Sequence, residues 1–310
     1  MEVRNLNTEE WHNYVRQCPQ ATFFHTPMWY AVWDAYAKNR SLALLFEFPS
    51  GRTALLPLSE KKIHKGLTRV YDSSPAGTYG GFISPTSLKA NEVSELLTYV
   101  KKMTINIAFN PYQPLDGLST VKTDFTQRIN LELGIDVNKW HRYSGRMKKS
   151  KNLTVKQGEN ISDWKLYFSL YQKSLVRWGD SVSSEYSFSL FEQLEQLPKD
   201  MCRLFLVYDG DAVIYGGIFF LYNKMMIYWH GAGDERFFKK QPAFLLQKKG
   251  IDFAIKNGFR YYDFNPSGGH QGVEKFKNNF KPEIVYFPIL FNQNAWYSSL
   301  DGLSKILKSN

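Results

Sequence analysis

The stretch Tyr261-Tyr262-Asp263-Phe264-Asn265-Pro266-Ser267-Gly268-Gly269-His270-Gln271-Gly272-Val273-Glu274-Lys275-Phe276-Lys277 decides the fold. Aromatic residues open it as a strand. Asn-Pro and Ser-Gly-Gly break that strand into a loop, and a short helix ending in Phe-Lys follows. Such strand-to-loop-to-helix breaks are where α/β proteins place ligand chemistry. Upstream, Pro242 suits the first turn of a helix in which Leu245, Leu246, Ile251 and Ala254 recur at helical spacing, and Gly258 fits its C-terminal cap. Before that helix the pattern predicts three strands, 203–208, 212–222 and 225–230, joined by tight turns at Asp209-Gly210 and Asn223-Lys224. For Asp209-Gly210 the expectation is positive φ at both residues. Gly216-Gly217, inside the middle strand, predicts a bulge or a close backbone approach.

Two amphipathic helices, 163–174 and 188–197, precede the strands, and a last strand spans 284–290. The resulting order is helix, helix, three antiparallel strands, helix, strand, helix, strand. The first half follows a similar grammar. Asn7 with Glu10 reads as a helix cap and its reciprocal partner, and Thr26-Pro27 opens a second helix over 28–37. A hairpin (41–48 and 52–59), short extended pieces at 70–71 and 80–83, a helix over 88–102 and strands at 104–109 and 121–131 complete it. Shared element order without shared residues suggests two copies of one unit.

The 310 residues are too many for one typical domain, and 43% of them are apolar, enough for real cores. The net charge of +10 favours a polyanionic or phosphate-bearing partner. Its densest source is the run 138–151, which includes Arg146, Lys148, Lys149 and Lys151. That run reads either as a solvated helix face at a domain boundary or as a phosphate-contacting segment. Cys18 and Cys202 alone build no disulfide framework. No apolar run follows Met1, and the longest apolar stretch, 212–222, is short of the ~20 residues a membrane helix needs. A cytoplasmic protein without a transmembrane segment is the expectation. No metal-ligand cluster, P-loop or Ser-His-Asp order stands out, so neither a metal nor a tightly bound cofactor is expected.

Several motifs resemble the FemABX family and its BioF2-like relatives, within the GNAT acyltransferase superfamily. They are the meander, the strand Tyr261-Tyr262-Asp263-Phe264-Asn265, the Gly-rich loop and the Phe276-Lys277 helix, with the basic run 146–155 before them. Phe23-Phe24-His25-Thr26-Pro27-Met28-Trp29 and the loop Ser73-Ser74-Pro75-Ala76-Gly77-Thr78-Tyr79-Gly80-Gly81-Phe82 extend the likeness into the first half. The resemblance implies an α+β fold of two tandem GNAT-like domains, each a mixed, mostly antiparallel sheet flanked by helices. The expected domains are 1–137, joined by a returning segment 292–310, and 138–291. The implied activity is acyl transfer to an amine. The donor is aminoacyl-tRNA with a cell-wall precursor as acceptor, or an acyl-CoA with an amino-sugar or small amine as acceptor. One departure matters. Where an acetyl-CoA loop carries glycines before its Leu-Leu helix, this chain has Lys240 and Pro242.

Acyl transfer to an amine needs a neutral amine, an aligned carbonyl, a stabilised oxyanion and a protonated leaving group. Gly231 and Gly233, ending the third strand, are candidates for backbone oxyanion donors. Phe276 and Lys277 correspond to the family pair that faces the tRNA acceptor end, where the aromatic stacks and the lysine neutralises charge. Asp263 is a candidate to bind the amine, and His270, with His230 as its rival, a candidate base. Tyr228, with Tyr215 on the neighbouring strand, is placed to donate a proton. Arg146, Lys149 and Lys240 are candidate phosphate contacts. Each also has a bland reading as core, cap or solvated side chain. A non-catalytic binding module that keeps the fold is the third alternative. A monomer or weak dimer is expected, with charged tRNA and a phosphate-bearing acceptor as partners and no DNA.

Overall fold

A computed structural model describes residues 1–63, 66–118, 122–179 and 185–294. In chain order the elements are β1 (Glu2–Asn5), α1 (Thr8–Gln17), α2 (Pro27–Ala37), β2 (Arg40–Glu47), β3 (Thr53–Ile63), β4 (Thr68–Asp72), α3 (Ala90–Val100), β5 (Ile105–Ala108) and β6 (Lys122–Asn130). There follow α4 (Tyr143–Lys149), β7 (Leu153–Gln157), α5 (Ile161–Trp178), α6 (Phe188–Glu195), β8 (Cys202–Asp209), β9 (Ala212–Tyr222), β10 (Met225–Gly233), α7 (Pro242–Lys256), β11 (Tyr261–Asp263), α8 (Gln271–Lys277) and β12 (Glu283–Asn292). The chain divides into two compact units. The first holds residues 1–125 and the chain from 286 onward, and the second holds 126–285. The boundary therefore falls inside β6, where the sequence reading set it at 137/138. The chain returns to the first unit at 286 rather than 292. Residues 295–310 of the expected return lie outside the described residues.

In the first unit the strand order is β1-β2-β3-β4-β5-β12, antiparallel except for the parallel pair β4–β5. Asn7 caps α1 through a reciprocal box with Glu10, and Thr26 caps α2 ahead of Pro27, as the sequence predicts. The core joins Phe46, Leu56, Leu58, Phe82, Leu96 and Ile107. The segment 80–83 makes only isolated bridges, at Gly80 and Ile83.

In the second unit the order is β6-β11-β10-β9-β8-β7, antiparallel except for the parallel pair β10–β11. Each unit thus contains two helices, three antiparallel strands, a helix, and a strand parallel to the third. Asn223 and Lys224 both take positive φ in the β9–β10 turn, as such a turn requires. At the β8–β9 turn Asp209 pairs with Ala212, and of the two residues named for it only Gly210 has positive φ. The expected bulge is not at Gly216-Gly217. Those glycines allow close approach: a methyl at Gly216 would meet Tyr167 at 2.7 Å, and one at Gly217 would meet Leu246 at 2.7 Å. β9 shifts register just before these glycines, where Val207 pairs with Tyr215 and Tyr208 with Val213, and β10 shifts between Tyr228 and His230. Phe219, Tyr228, Phe244, Leu246, Tyr262 and Phe280 belong to the core that α7 covers. Among the described residues no helix is long and apolar enough to cross a membrane.

Candidate active site

The parallel ladder of the second unit is short. Met225–Ile227 pairs with Tyr261–Asp263, and β10 then runs on through Tyr228, Trp229, His230, Gly231, Ala232 and Gly233. The run beyond Ile227 is an opening edge. Which peptide groups face it follows from one bond: Asp234 N donates to Ile214 O at 3.0 Å, so that pair is the hydrogen-bonded kind. Antiparallel pairs alternate, so Gly233, opposite Tyr215, and Gly231, opposite Gly217, turn their amides away from β9. At Gly233 the amide is already used. It donates to Ser174 Oγ at 3.1 Å, and the Gly233 carbonyl accepts from Arg177 at 3.1 Å. Gly233 is thereby removed as an oxyanion donor, since a committed amide cannot be spared for a substrate. Gly231 is left as the candidate, with its amide turned away from β9. It has no side chain for a further reason: a methyl there would sit 1.7 Å from Tyr228 Oη. Ser174 and Arg177, which fasten the end of the edge, were missed in the sequence. The helix expected over 163–174 ends on Ser174 and leaves Arg177 outside, whereas α5 runs on to Trp178. Nothing local told that their side chains meet Gly233.

Tyr228 and Tyr215 meet through their hydroxyls at 3.3 Å, both buried. Burial raises both phenols above their ordinary range, so they stay protonated. Tyr167, Tyr171 and Phe191 surround His230. Burial pushes His230 down to about 4, which makes the imidazole neutral at pH 7.

The Gly-rich loop is pinned from beneath. Asp263 is buried, accepting from Thr126 Oγ1 and, at 2.6 Å, from Asn265 N. Asn265 takes φ +60, a left-handed conformation that a short polar side chain tolerates. Lys277 is only 2% exposed, and its Nζ donates to Asn265 O at 2.6 Å and Ser267 Oγ at 2.9 Å. The expected solvent-side lysine is a loop strap instead. Its long stem reaches oxygens that need a donor, which spacing on α8 alone cannot reveal. Phe276 is half-buried and packs edge-on against Phe280 at 5.7 Å, so its ring is in part a core ring. His270 is exposed, one residue before α8.

The basic run separates by residue. Arg146 donates to Gln241 Oε1 at 2.5 Å, Asn279 Oδ1 at 3.0 Å and His141 O at 3.1 Å, and lies over Phe244. It ties α4 to the start of α7 and the end of α8, and is a clamp rather than the expected open phosphate contact. Burial lowers its pKa, with Arg142 adding repulsion. Lys149 is exposed. Lys240 pairs with Asp209. The structure thus brings Tyr215, Tyr228, Gly231 and Gly233 together at the strand edge, and Asp263 with Lys277 under the loop. Arg146 lies at the α7 entrance, where Lys240 ends the preceding turn. Among the described residues no group of three or more His, Cys, Asp or Glu could hold a metal ion.

Residues 142–278 match the family model of the acetyltransferase (GNAT) domain. The second unit carries a GNAT acetyltransferase domain. The chain is accordingly an N-acyltransferase. Its fold is similar to that of FemX, at 14% identity over 93% of this chain and 96% of that one, with a TM-score of 0.67. It is also similar to the C-terminal domain of a putative lysylphosphatidylglycerol synthetase from Agrobacterium fabrum, at 9% identity, 97% and 95% coverage and a TM-score of 0.56. A third likeness is to L-PGS from Bacillus licheniformis, at 8% identity, 94% and 93% coverage and a TM-score of 0.52. No curated protein sequence matches the chain. The fold is therefore α+β, with two GNAT-like units in tandem along the chain.

Proposed function

We propose that this acyltransferase moves an aminoacyl group from charged tRNA onto the amine of a cell-wall precursor, as the FemABX enzymes it resembles do. The observation that supports this donor is the entrance to α7. A CoA pyrophosphate would need free backbone amides there. Instead Pro242 supplies none, Gln241 sits at φ +60 with its side chain held by Arg146, and Lys240 is paired with Asp209. In this reading the acceptor nitrogen bonds to the ester carbonyl carbon as the ester C–O bond breaks. The nitrogen's proton leaves with the departing ribose oxygen. Gly231 N–H supports the carbonyl oxygen while it carries negative charge. The strapped loop around Asn265 keeps the far wall fixed.

A second reading is transfer from an acyl-CoA, which the match of residues 142–278 to an acetyltransferase family favours. The deciding assay offers the full chain two labelled donors in parallel, a mixed pool of aminoacyl-tRNA and acetyl-CoA. Each is given with a peptide-bearing nucleotide precursor of peptidoglycan and, separately, with glucosamine. Label moving from tRNA alone upholds the first reading. Label moving from acetyl-CoA alone replaces it with the second. Transfer from neither, with retained tRNA binding, leaves a binding module.

A further inference from the structure

Tyr167 is fully buried, and among the described residues its hydroxyl has one partner, His230 Nδ1, at 2.5 Å. A buried phenol must place its proton on an acceptor, because leaving it unpaired costs about 1–3 kcal/mol. Burial raises Tyr167 well above its ordinary range, so the proton is retained. The acceptor available to it is Nδ1. In a neutral imidazole, Nδ1 then carries no hydrogen, and the ring proton sits on Nε2. Among the described residues that nitrogen has no hydrogen-bond partner, and it is not one of the enclosed, unpaired atoms, so it is open to solvent there.

The bulge in β10 sets the direction. Trp229 packs on Phe220 and Tyr186, on the face opposite Tyr228. Because the register slips there, His230 falls on the same face as Trp229, toward α5, where strict alternation would turn it back. Tyr167 and Tyr171 from α5, Phe191 from α6, Tyr186 and Trp229 pack on it, and none of them is charged. The result is a neutral donor of fixed tautomer, held in an aromatic wall within the stretch of β10 that runs past β11.

We infer that His230 is a positioning residue whose Nε2–H, locked by Tyr167, donates a hydrogen bond to an uncharged oxygen of the amine-bearing acceptor, a hydroxyl or peptide carbonyl near the reacting nitrogen. The inference rests on the acyl-transfer reading for the identity of the ligand, but not for the state of the imidazole. A charged imidazolium would repel an ammonium acceptor, while a neutral donor orients it through oxygen and leaves the amine free to react.

The test is nitrogen NMR on the full chain with labelled histidine, followed by titration with glucosamine and with lysyl-D-alanine. His230 is expected to be neutral at pH 7 with its proton on Nε2, and one or both probes should move the Nε2–H resonance. In Tyr167→Phe the lock is lost: both tautomers should appear, and probe affinity should fall roughly two- to tenfold. His230→Gln, which keeps a donor, should bind more tightly than His230→Leu. A proton on Nδ1, a charged ring at pH 7, or an Nε2–H resonance that neither probe moves would overturn the inference. If the probes bind and no label is transferred from either donor, the acyl-transfer reading fails while the site stands.

Discussion

Lys277 Nζ donates to the backbone oxygen of Asn265 at 2.6 Å, from a side chain that is almost fully enclosed. Asn265 is the residue whose left-handed backbone turns the chain from β11 into the Gly-rich loop. A cation at that spot holds the turn closed. Lys277→Ala should therefore lower stability as well as turnover, by about 1–3 kcal/mol for the acceptors it leaves unpaired. Urea unfolding measures it, and an unchanged midpoint would return Lys277 to a purely chemical role.

Gly231 and Tyr228 compete for one volume. Gly231→Ala places a methyl 1.7 Å from Tyr228 Oη and should cost about 1–3 kcal/mol through overpacking. In a Tyr228→Phe background the penalty should shrink, because the clashing oxygen is gone. A double-mutant cycle reads this coupling, and additive losses would show that the two do not share the space.

Arg146 and Lys149 lie on one short helix but should behave in opposite ways. Arg146→Ala breaks bonds to Gln241 and Asn279 and should lower the melting temperature while barely altering the salt dependence of tRNA binding. Lys148→Ala with Lys149→Ala, both exposed, should leave melting alone and reduce the salt slope by about one for each phosphate that these lysines neutralise. Equal salt slopes in wild type and the double lysine variant would remove that helix from the nucleic-acid surface.

Two histidines should weaken the fold in acid. Burial lowers both His25 in the first unit and His230 in the second to about 4, from an ordinary value of 6.5. The unfolded chain takes up these protons first as pH falls. Their contribution is fully present above about 6.5 and is lost progressively down to about 4. The urea midpoint should drop across that window, and His230→Gln should flatten part of the drop. A midpoint that is level between pH 7 and about 4.5 would mean that both rings are already charged or exposed when folded.

Much of the fold was legible because its signals are local. Asn223-Lys224 marks a turn by demanding positive φ, Pro242 marks a helix start, and residues 212–222 alternate or run apolar as a strand must. Strands β1 and β7 were missed because Glu2–Asn5 and Leu153–Gln157 are four and five residues long, too short for a pattern to stand out, and α4 was legible only as one of two options for the basic run, without bounds. Of the site, the Gly-rich loop and the glycines of β10 could be named in advance. Their roles could not. Gly233 looked free until Ser174 was seen on its amide, and Arg146 looked like a phosphate contact until its fork closed on Gln241 and Asn279.

The order of helices and strands, the turns and the basic balance were dictated by residue types acting over a few neighbours. What each polar group does was decided only when distant segments met. Thr126 reaches Asp263 across 137 positions, and Tyr167 reaches His230 across 63. Hydrogen bonds act over about 3 Å, so a donor's partner is whatever the packed chain brings within reach. Nothing in the local sequence around Tyr167 can announce that partner.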